Sequence, residues 1–199
     1  HIMEAEKIIS GLNDYFREAK IYFFKAQYAL HQKNFSEAIS QIDNSIDKFN
    51  LAKNTRWETE ILIEKLNILL EAGIKEKIDP TIIMIEHLIN QIKGSYSNDL
   101  FQAIKYFNKS QNGSINIEEL NAYRKSLEEK RDFIPLNFPL TFWYLAKAYH
   151  SLSQPETAQF CHEKARGLLR LLAAGISGEE DRTSFFEVYF HKRVGERLS

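Results

Sequence analysis

A single cysteine, Cys161, stands among 199 residues, so no internal disulfide can form. A reducing cytoplasm is the simplest compartment for such a chain. Proline is scarce at 4 residues and glycine at 8, too few for the closely spaced turns of a sandwich or barrel. No apolar run approaches the ~18 residues that span a bilayer, so no membrane partner is expected. The start shows no basic segment followed by an apolar one, as a secretion signal would. Positive charge is not in excess either. Lys and Arg total 26 against 27 Asp and Glu, a net charge of −1. That balance disfavours binding to nucleic acid, whose affinity comes largely from neutralised phosphates. The content of 44% hydrophobic and 27% charged residues excludes a disordered chain. The opening His1-Ile2-Met3 reads as a cloning scar ahead of a start Met, which leaves open whether the chain is a piece of a longer protein. Residues 4–199 have the length of one domain.

What is present is helical periodicity. Ile8, Ile9, Leu12, Phe16, Ala19, Phe23, Ala26 and Leu30 recur every three or four residues, one amphipathic helix or two abutting ones from about Glu4 to Gln32. Phe35, Ala38, Ile39, Ile42, Ile46 and Phe49 mark a second helix. Thr55 and Glu58 have capping-box spacing and open a third, closed by Gly73. Asp79-Pro80 starts a fourth that Gly94 ends. Ser97 to Lys109 is a fifth helix, and about Ile117 to Arg131 a sixth. The segment Phe133–Pro139 is the best internal boundary, since its prolines push their predecessors out of helical conformation. Helices over about Leu140–Leu152 and Pro155–Gly175 follow, and Ser177 with Glu180 predicts a last one toward Leu198. No strand is predicted. The fold class is all-α, about nine antiparallel helices with short connections.

Two segments share a pattern. Phe142-x-x-Leu145-Ala146-x-x-Tyr149 is followed by Ala158-x-x-x-His162-x-x-Ala165. Near the front, Tyr22-x-x-Lys25-Ala26-x-x-Ala29 precedes Ala38-x-x-x-Ile42-x-x-Ser45. Small residues are twelve positions apart in each, and the next step is seven in each. The pattern resembles the tetratricopeptide (TPR) repeat, which places an aromatic, a Leu-small pair and a Tyr on its first helix and Ala-x-x-x-aromatic on its second. His162 departs from that aromatic, and Lys25 and Ala29 depart from Leu and Tyr. The copies lie 120 residues apart, about three steps of 40 rather than multiples of the usual ~34. The expected layout is TPR-like hairpins near 19–53 and 138–172, irregular hairpins over 55–132 and a capping helix at 178–198.

This resemblance implies a superhelical stack of hairpins whose first helices line a concave groove for a protein or peptide, with no chemistry of its own. The implied partner-binding residues are Phe23, Gln27 and His31 in the first hairpin, Trp57, Glu60 and Glu64 in the middle, and Trp143, Lys147 and His150 in the last. Chaperone-binding members of the family clamp a terminal carboxylate with Lys, Asn and Arg. Phe23 and Gln27 do not supply that clamp. Aromatic and mixed-charge side chains suit an amphipathic segment instead. The closing stretch from Asp181 to Arg193 loosely resembles the last helix of bacterial regulatory proteins whose arrays follow a kinase or ATPase domain. The expected role is a scaffold, a signalling or regulatory part of a larger protein.

A second resemblance is local. Asn108, Ser110, Asn112, Ser114, Asn116 and Glu119 fall at the ligand positions of an EF-hand loop, with Gly113 at the turn and Ile115 after it. Such a loop would hold Ca2+ weakly, because Asn108 replaces the usual Asp and Glu119 is the one ionised ligand. The same letters also read as a turn at Asn112-Gly113 and a helix cap at Asn116. A calcium- or peptide-responsive regulatory domain is therefore the alternative function.

Enzymatic motifs are not found. There is no Gly-rich phosphate loop, dinucleotide fingerprint or His-Glu-x-x-His. His31, His87, His150, His162 and His191 lack metal-ligand spacing. Cys161 and His162 are helix neighbours about 100° apart and poorly placed to share a proton. No cofactor is implied beyond the weak Ca2+, and an enzyme with an unrecognised site is the remote third reading.

Overall fold

A computed structural model describes Glu4, Ile9 and residues 14–92, 98–129 and 136–196. Ten α-helices and no strand are found among them: α1 (Tyr15–His31), α2 (Phe35–Leu51), α3 (Thr55–Ala72), α4 (Ile78–Ile89), α5 (Asn98–Gln111), α6 (Ile117–Glu129), α7 (Phe138–Ser151), α8 (Pro155–Ala174), α9 (Glu179–Glu187) and α10 (Tyr189–Gly195). The fold is all-α, as the periodicity predicts. The chain divides into two compact units, residues 1–95 and 96–199. The division does not fall at the expected boundary of 133–139, part of which lies outside the described residues.

One turn is used three times. Lys33, Lys53 and Ser153 adopt left-handed backbone with φ of 57°, 53° and 56°. At the first, Lys33 N–H donates to Leu30 C=O and Asn34 N–H to Ala29 C=O, each at 2.9 Å. The same two bonds recur from Lys53 to Asn50 and Asn54 to Phe49, and from Ser153 to His150 and Gln154 to Tyr149. This is the Schellman closure, which satisfies carbonyls that a helix end leaves open. The residue after the left-handed position then starts the next helix. Asn34 Oδ1 accepts from Glu37 N–H and Asn54 Oδ1 from Trp57 N–H, both at 3.2 Å. Three residues thus end one helix and begin the next, joining α1 to α2, α2 to α3 and α7 to α8. Glycine holds the left-handed position after α3 (Gly73, φ 70°) and after α5 (Gly113, φ 66°).

In unit 1, α1 and α2 pack tightly, α2 covers α3, and α3 carries α4. Ala26 and Ala38 are fully buried on the α1/α2 pair, with Leu30, Ile42 and Phe49 around them. Ser45 Oγ donates to Ala19 C=O at 2.8 Å across the same pair, Lys48 Nζ reaches Glu18 at 2.6 Å, and Lys65 Nζ joins α3 to Asp43 at 2.6 Å. The Glu18 hydrogen bond, acting against partial burial, holds the Lys48 amine above its ordinary pKa.

In unit 2, α7 is the central element, with eleven of its fourteen residues buried. It packs on α8, on α5 and on α10. Ala146 and Ala158 are buried on the α7/α8 pair. Ser151 Oγ donates to Ser110 Oγ at 2.7 Å, tying α7 to α5, and Tyr149 Oη donates to Asn121 Oδ1 at 2.7 Å, tying it to α6. Helix α5 packs backbone-close on α7 rather than on its expected partner α6. It meets α6 through the Tyr106 and Tyr123 rings, 5.2 Å apart, and through Tyr123 Oη donating to Asp99 C=O at 2.7 Å. His162, the departure from the repeat pattern, is buried, and its Nε2 bonds Val194 C=O at 2.9 Å, anchoring α10 to α8.

Several helix starts differ from expectation, each for a local reason. Asn54 rather than Thr55 caps α3, and Glu58 accepts from Asn50 Nδ2 at 3.2 Å instead of reaching back to a cap. Helix α4 begins at Ile78 after a 3-10 turn (Lys75–Lys77), so Pro80 lies inside its first turn, where a missing N–H costs nothing. The predicted last helix is two, because Val188 turns extended (ψ 131°) between α9 and α10. Asp14 caps α1, its Oδ1 accepting from Arg17 N–H at 3.1 Å, as the reading of two abutting helices from Glu4 allows. Expectations for Ile8, Leu12, Gly94 and Ser97 lie outside the described residues.

The buried alanines and the left-handed turns give two tests. Ala26→Leu or Ala146→Leu should cost about 1–3 kcal/mol, as overpacking does, while Ala174→Leu at an exposed site stays within about 0.5 kcal/mol. Equal urea midpoints for all three would refute the close approach. Lys53→Gly should raise the unfolding free energy by roughly 0.5–1 kcal/mol, because glycine removes the left-handed penalty at some entropic cost; a loss of stability would show that the lysine side chain itself is needed.

Candidate functional site

A concavity lies in unit 1. It is a half-open cleft of about 500 Å3 lined by Phe23, Arg56, Trp57, Glu60, Ile61 and Glu64. Its walls come from α1 and α3, the first helices of the two successive hairpins, and no residue of α2 or α4 lines it. Four of the nine residues expected to bind a partner, Phe23, Trp57, Glu60 and Glu64, are brought together here.

The spacing on α3 explains the grouping. Arg56, Glu60 and Glu64 recur every four residues and so form one stripe, with Trp57 and Ile61 alongside. Ile61 is buried, while Trp57 keeps 37% of its surface exposed. Trp57 is fixed from behind. Its ring stacks on the fully buried Phe49 of α2 (5.6 Å, 13° between planes) and meets Phe16 of α1 edge-on at 6.1 Å. Lys20 Nζ lies 4.6 Å from the Phe16 ring centre and 5.3 Å from that of Trp57, so the aromatic cluster already borders one cation.

The acidic side of the cleft is electrostatically costly. Burial pushes the Glu64 carboxyl up from 4.5 to about 7, and the like charge of Glu60 one turn away adds to it. The Asn67 amide one turn on opposes the shift but closes no hydrogen bond of good geometry; it is fully buried with neither side-chain polar atom paired. Arg56 was missed as a site residue, although its place four before Glu60 on the same stripe was the signal that could have found it.

The other expected contacts lie elsewhere. Gln27 is half-buried and His31 exposed further along α1, outside the cleft lining. In unit 2, Trp143 is only 4% exposed. It does not stand on an open face, because α7 is enclosed by α5, α8 and α10. Lys147 Nζ sits 4.4 Å from the Trp143 ring centre and 4.6 Å from that of Phe107, a cation held over buried rings. His150 is exposed at the end of α7.

The twelve residues expected as a calcium loop do not form one loop. Asn108 and Ser110 belong to helix α5, where positions two apart face different sides. Ser110 is buried, donates its Oγ to Phe107 C=O at 2.7 Å and accepts from Ser151. Gly113 closes α5, with Ser114 N–H donating to Lys109 C=O at 3.0 Å. Asn116 Oδ1 accepts from Glu118 N–H (2.8 Å) and Glu119 N–H (3.3 Å), capping α6. Asn112 and Glu119 are exposed. In this conformation the six oxygens do not face one centre. Among the described residues no group of three His, Cys, Asp or Glu side chains could hold a metal ion. Cys161 is fully buried, and burial pushes its thiol up to about 12, far from the thiolate a nucleophile needs. No helix of the described residues is long and apolar enough to cross a membrane.

No protein-family model matches the chain, and no curated protein or solved structure matches it either.

The raised Glu64 carboxyl makes a signed prediction. Its protonated form is favoured in the folded state, so the relative stability it lends is present below about pH 4.5 and lost as pH rises through about 7. Glu64→Gln should match wild type near pH 4 and exceed it at pH 8 by about 1 kcal/mol, allowing for solvent screening of a half-buried group. Comparing the two chains at each pH cancels other titrations, such as that of His191, whose pKa burial lowers. Parallel midpoint-against-pH curves would show that Glu64 ionises freely.

Proposed function

We propose that the chain is a protein-interaction module that holds a peptide segment or partner helix in the cleft between α1 and α3. The observation that carries this reading is the origin of the cleft walls. Both come from the first helix of a hairpin, and Phe49 of α2 stands behind Trp57. A hairpin stack leaves an open channel on the side of its first helices, where an extended or helical segment can lie across them. The lining combines aromatic faces with charges of both signs, a composition that can bury an apolar anchor and fix its orientation. The resemblance of the Ala26/Ala38 and Ala146/Ala158 segments to TPR hairpins adds support, because that architecture uses this face for binding. An enzymatic reading gains nothing from the cleft: its one unusual group, Glu64, has no nucleophile or oxyanion donor beside it in the lining.

The test is selection of peptides from a random library on the full chain, followed by titration. Phe23→Ala and Trp57→Ala should each weaken selected peptides by roughly tenfold or more, as central aromatic anchors do. Gln27→Ala and His150→Ala, outside the lining, should change affinity by less than about twofold. Far-UV circular dichroism checks that the aromatic variants fold. Peptides that bind the folded Phe23→Ala and Trp57→Ala chains as tightly as wild type would place the binding surface elsewhere.

A further inference from the structure

We infer that the α1/α3 cleft is selective for an arginine side chain, presented by the bound peptide against Glu60 and Glu64 with its plane along Trp57 and Phe23. This deepens the peptide-groove reading and rests on it. The first argument is charge. The lining carries two carboxyl groups, Glu60 and Glu64, and one guanidinium, Arg56, and a further cation beside the carboxyl pair would favour the charged form of Glu64. Glu60 and Glu64 are one helical turn apart, so their carboxyl groups stand side by side on one wall. The charge of Glu60, of the same sign, acts on the half-buried Glu64. A cation placed between them relieves the repulsion and replaces lost hydration.

The second argument is shape. A cleft of about 500 Å3 is larger than one side chain needs, so it admits the anchor with part of its flanking backbone. Its lining brings a phenyl ring from α1 together with an indole and two carboxyl groups from α3. A guanidinium suits that pairing. It is planar, stacks on aromatic faces, and forks two parallel N–H bonds to a carboxylate while other N–H groups remain for a second. A lysine ammonium is a strongly hydrated point charge without the plane or the fork. The aromatic cluster behind the cleft already borders the Lys20 ammonium, so its rings are electron-rich faces in use by a cation. Deeper in α3, the buried Asn67 amide beside Glu64 favours its charged form, and a guanidinium would bring further donors to the same carboxylate. The arrangement is the charge-reverse of a site built to clamp a peptide carboxylate.

The experiment uses the same random-peptide selection on the full chain and reads the anchor. Arginine should be enriched at one position of the selected peptides. Replacing it with citrulline, which keeps the shape and loses the charge, should weaken binding at least tenfold, and replacing it with lysine should weaken it roughly threefold or more. On Glu64→Gln and Glu60→Gln chains, both expected to stay folded, the arginine and citrulline peptides should approach equal affinity. Peptides that depend on Phe23 and Trp57 but carry acidic or wholly apolar anchors would overturn the arginine inference and leave the groove reading standing. The same follows from an arginine preference that the Gln variants leave untouched. Peptides indifferent to Phe23 and Trp57, or an empty selection, would overturn both.

Discussion

Two helices can approach until their backbones nearly touch only where neither carries more than a methyl group. In this chain that condition is met at Ala26 and Ala38 on α1 and α2, and at Ala146 and Ala158 on α7 and α8, all four at 1% exposure or less. These are the most extensively packed helix pairs found among the described residues. The turn between them enforces the register. From each first alanine to the left-handed residue is seven positions, and from there to the second alanine is five. A three-residue connection with both hydrogen bonds of the Schellman closure leaves little freedom in how the second helix returns. The twelve-residue spacing therefore records a geometric need, the distance out to a fixed turn and back to the same level.

That constraint also makes the cleft. Because the turn at Lys53 repeats the turn at Lys33, α2 returns into α3 as α1 returned into α2. Phe49 of α2 then backs the ring cluster of Phe16 and Trp57, and the outer faces of α1 and α3 become the walls. The backing matters for binding energetics. Trp57 is exposed yet held between neighbours, so a ligand that uses its face pays little side-chain entropy.

Much of this was legible in the sequence, for identifiable reasons. Helix existence follows from long stretches with period 3.6, and Gly73 ends α3 as read because a left-handed position is where glycine costs least. Lys33, Lys53 and Ser153 were not legible as left-handed, since nothing in a lysine or serine announces that conformation; the turn is imposed by the packing of the helices it joins. Caps slipped by one residue where two polar residues competed, as at Asn54 and Thr55. Of the contacts that the TPR resemblance implies, Trp57, Glu60 and Glu64 line the cleft, whereas Trp143 is buried. Placing Trp143 on an open face required knowing that α5, α8 and α10 all cover α7, a tertiary fact that no local pattern carries. The calcium-like stretch misled for a related reason. Alternating oxygen residues are the letters of a metal loop and equally those of a helix end, a glycine closure and an asparagine cap, and α5 running on to Gln111 selects the second.

His162 shows how a departure from a pattern carries information. In the resembling repeats that position packs an aromatic ring. Here the ring is retained in shape but given a polar edge, which bonds Val194 C=O. An apolar ring would leave that carbonyl without this partner at a buried contact, and an unmade buried hydrogen bond costs about 1–3 kcal/mol. Glu64 is the opposite kind of departure. Its neighbours on α3, Ile63 and Leu66, are buried in the core, and a glutamine at its position would avoid the charge. Burial and the like charge of Glu60 disfavour a carboxylate there, and the Asn67 amide opposes them only in part. Under the proposed function, such a group is one that a bound ligand would complete. Glu64 and His162 thus separate the two uses of polarity inside one helical scaffold: the histidine finishes the fold, and the glutamate leaves it unfinished at the cleft.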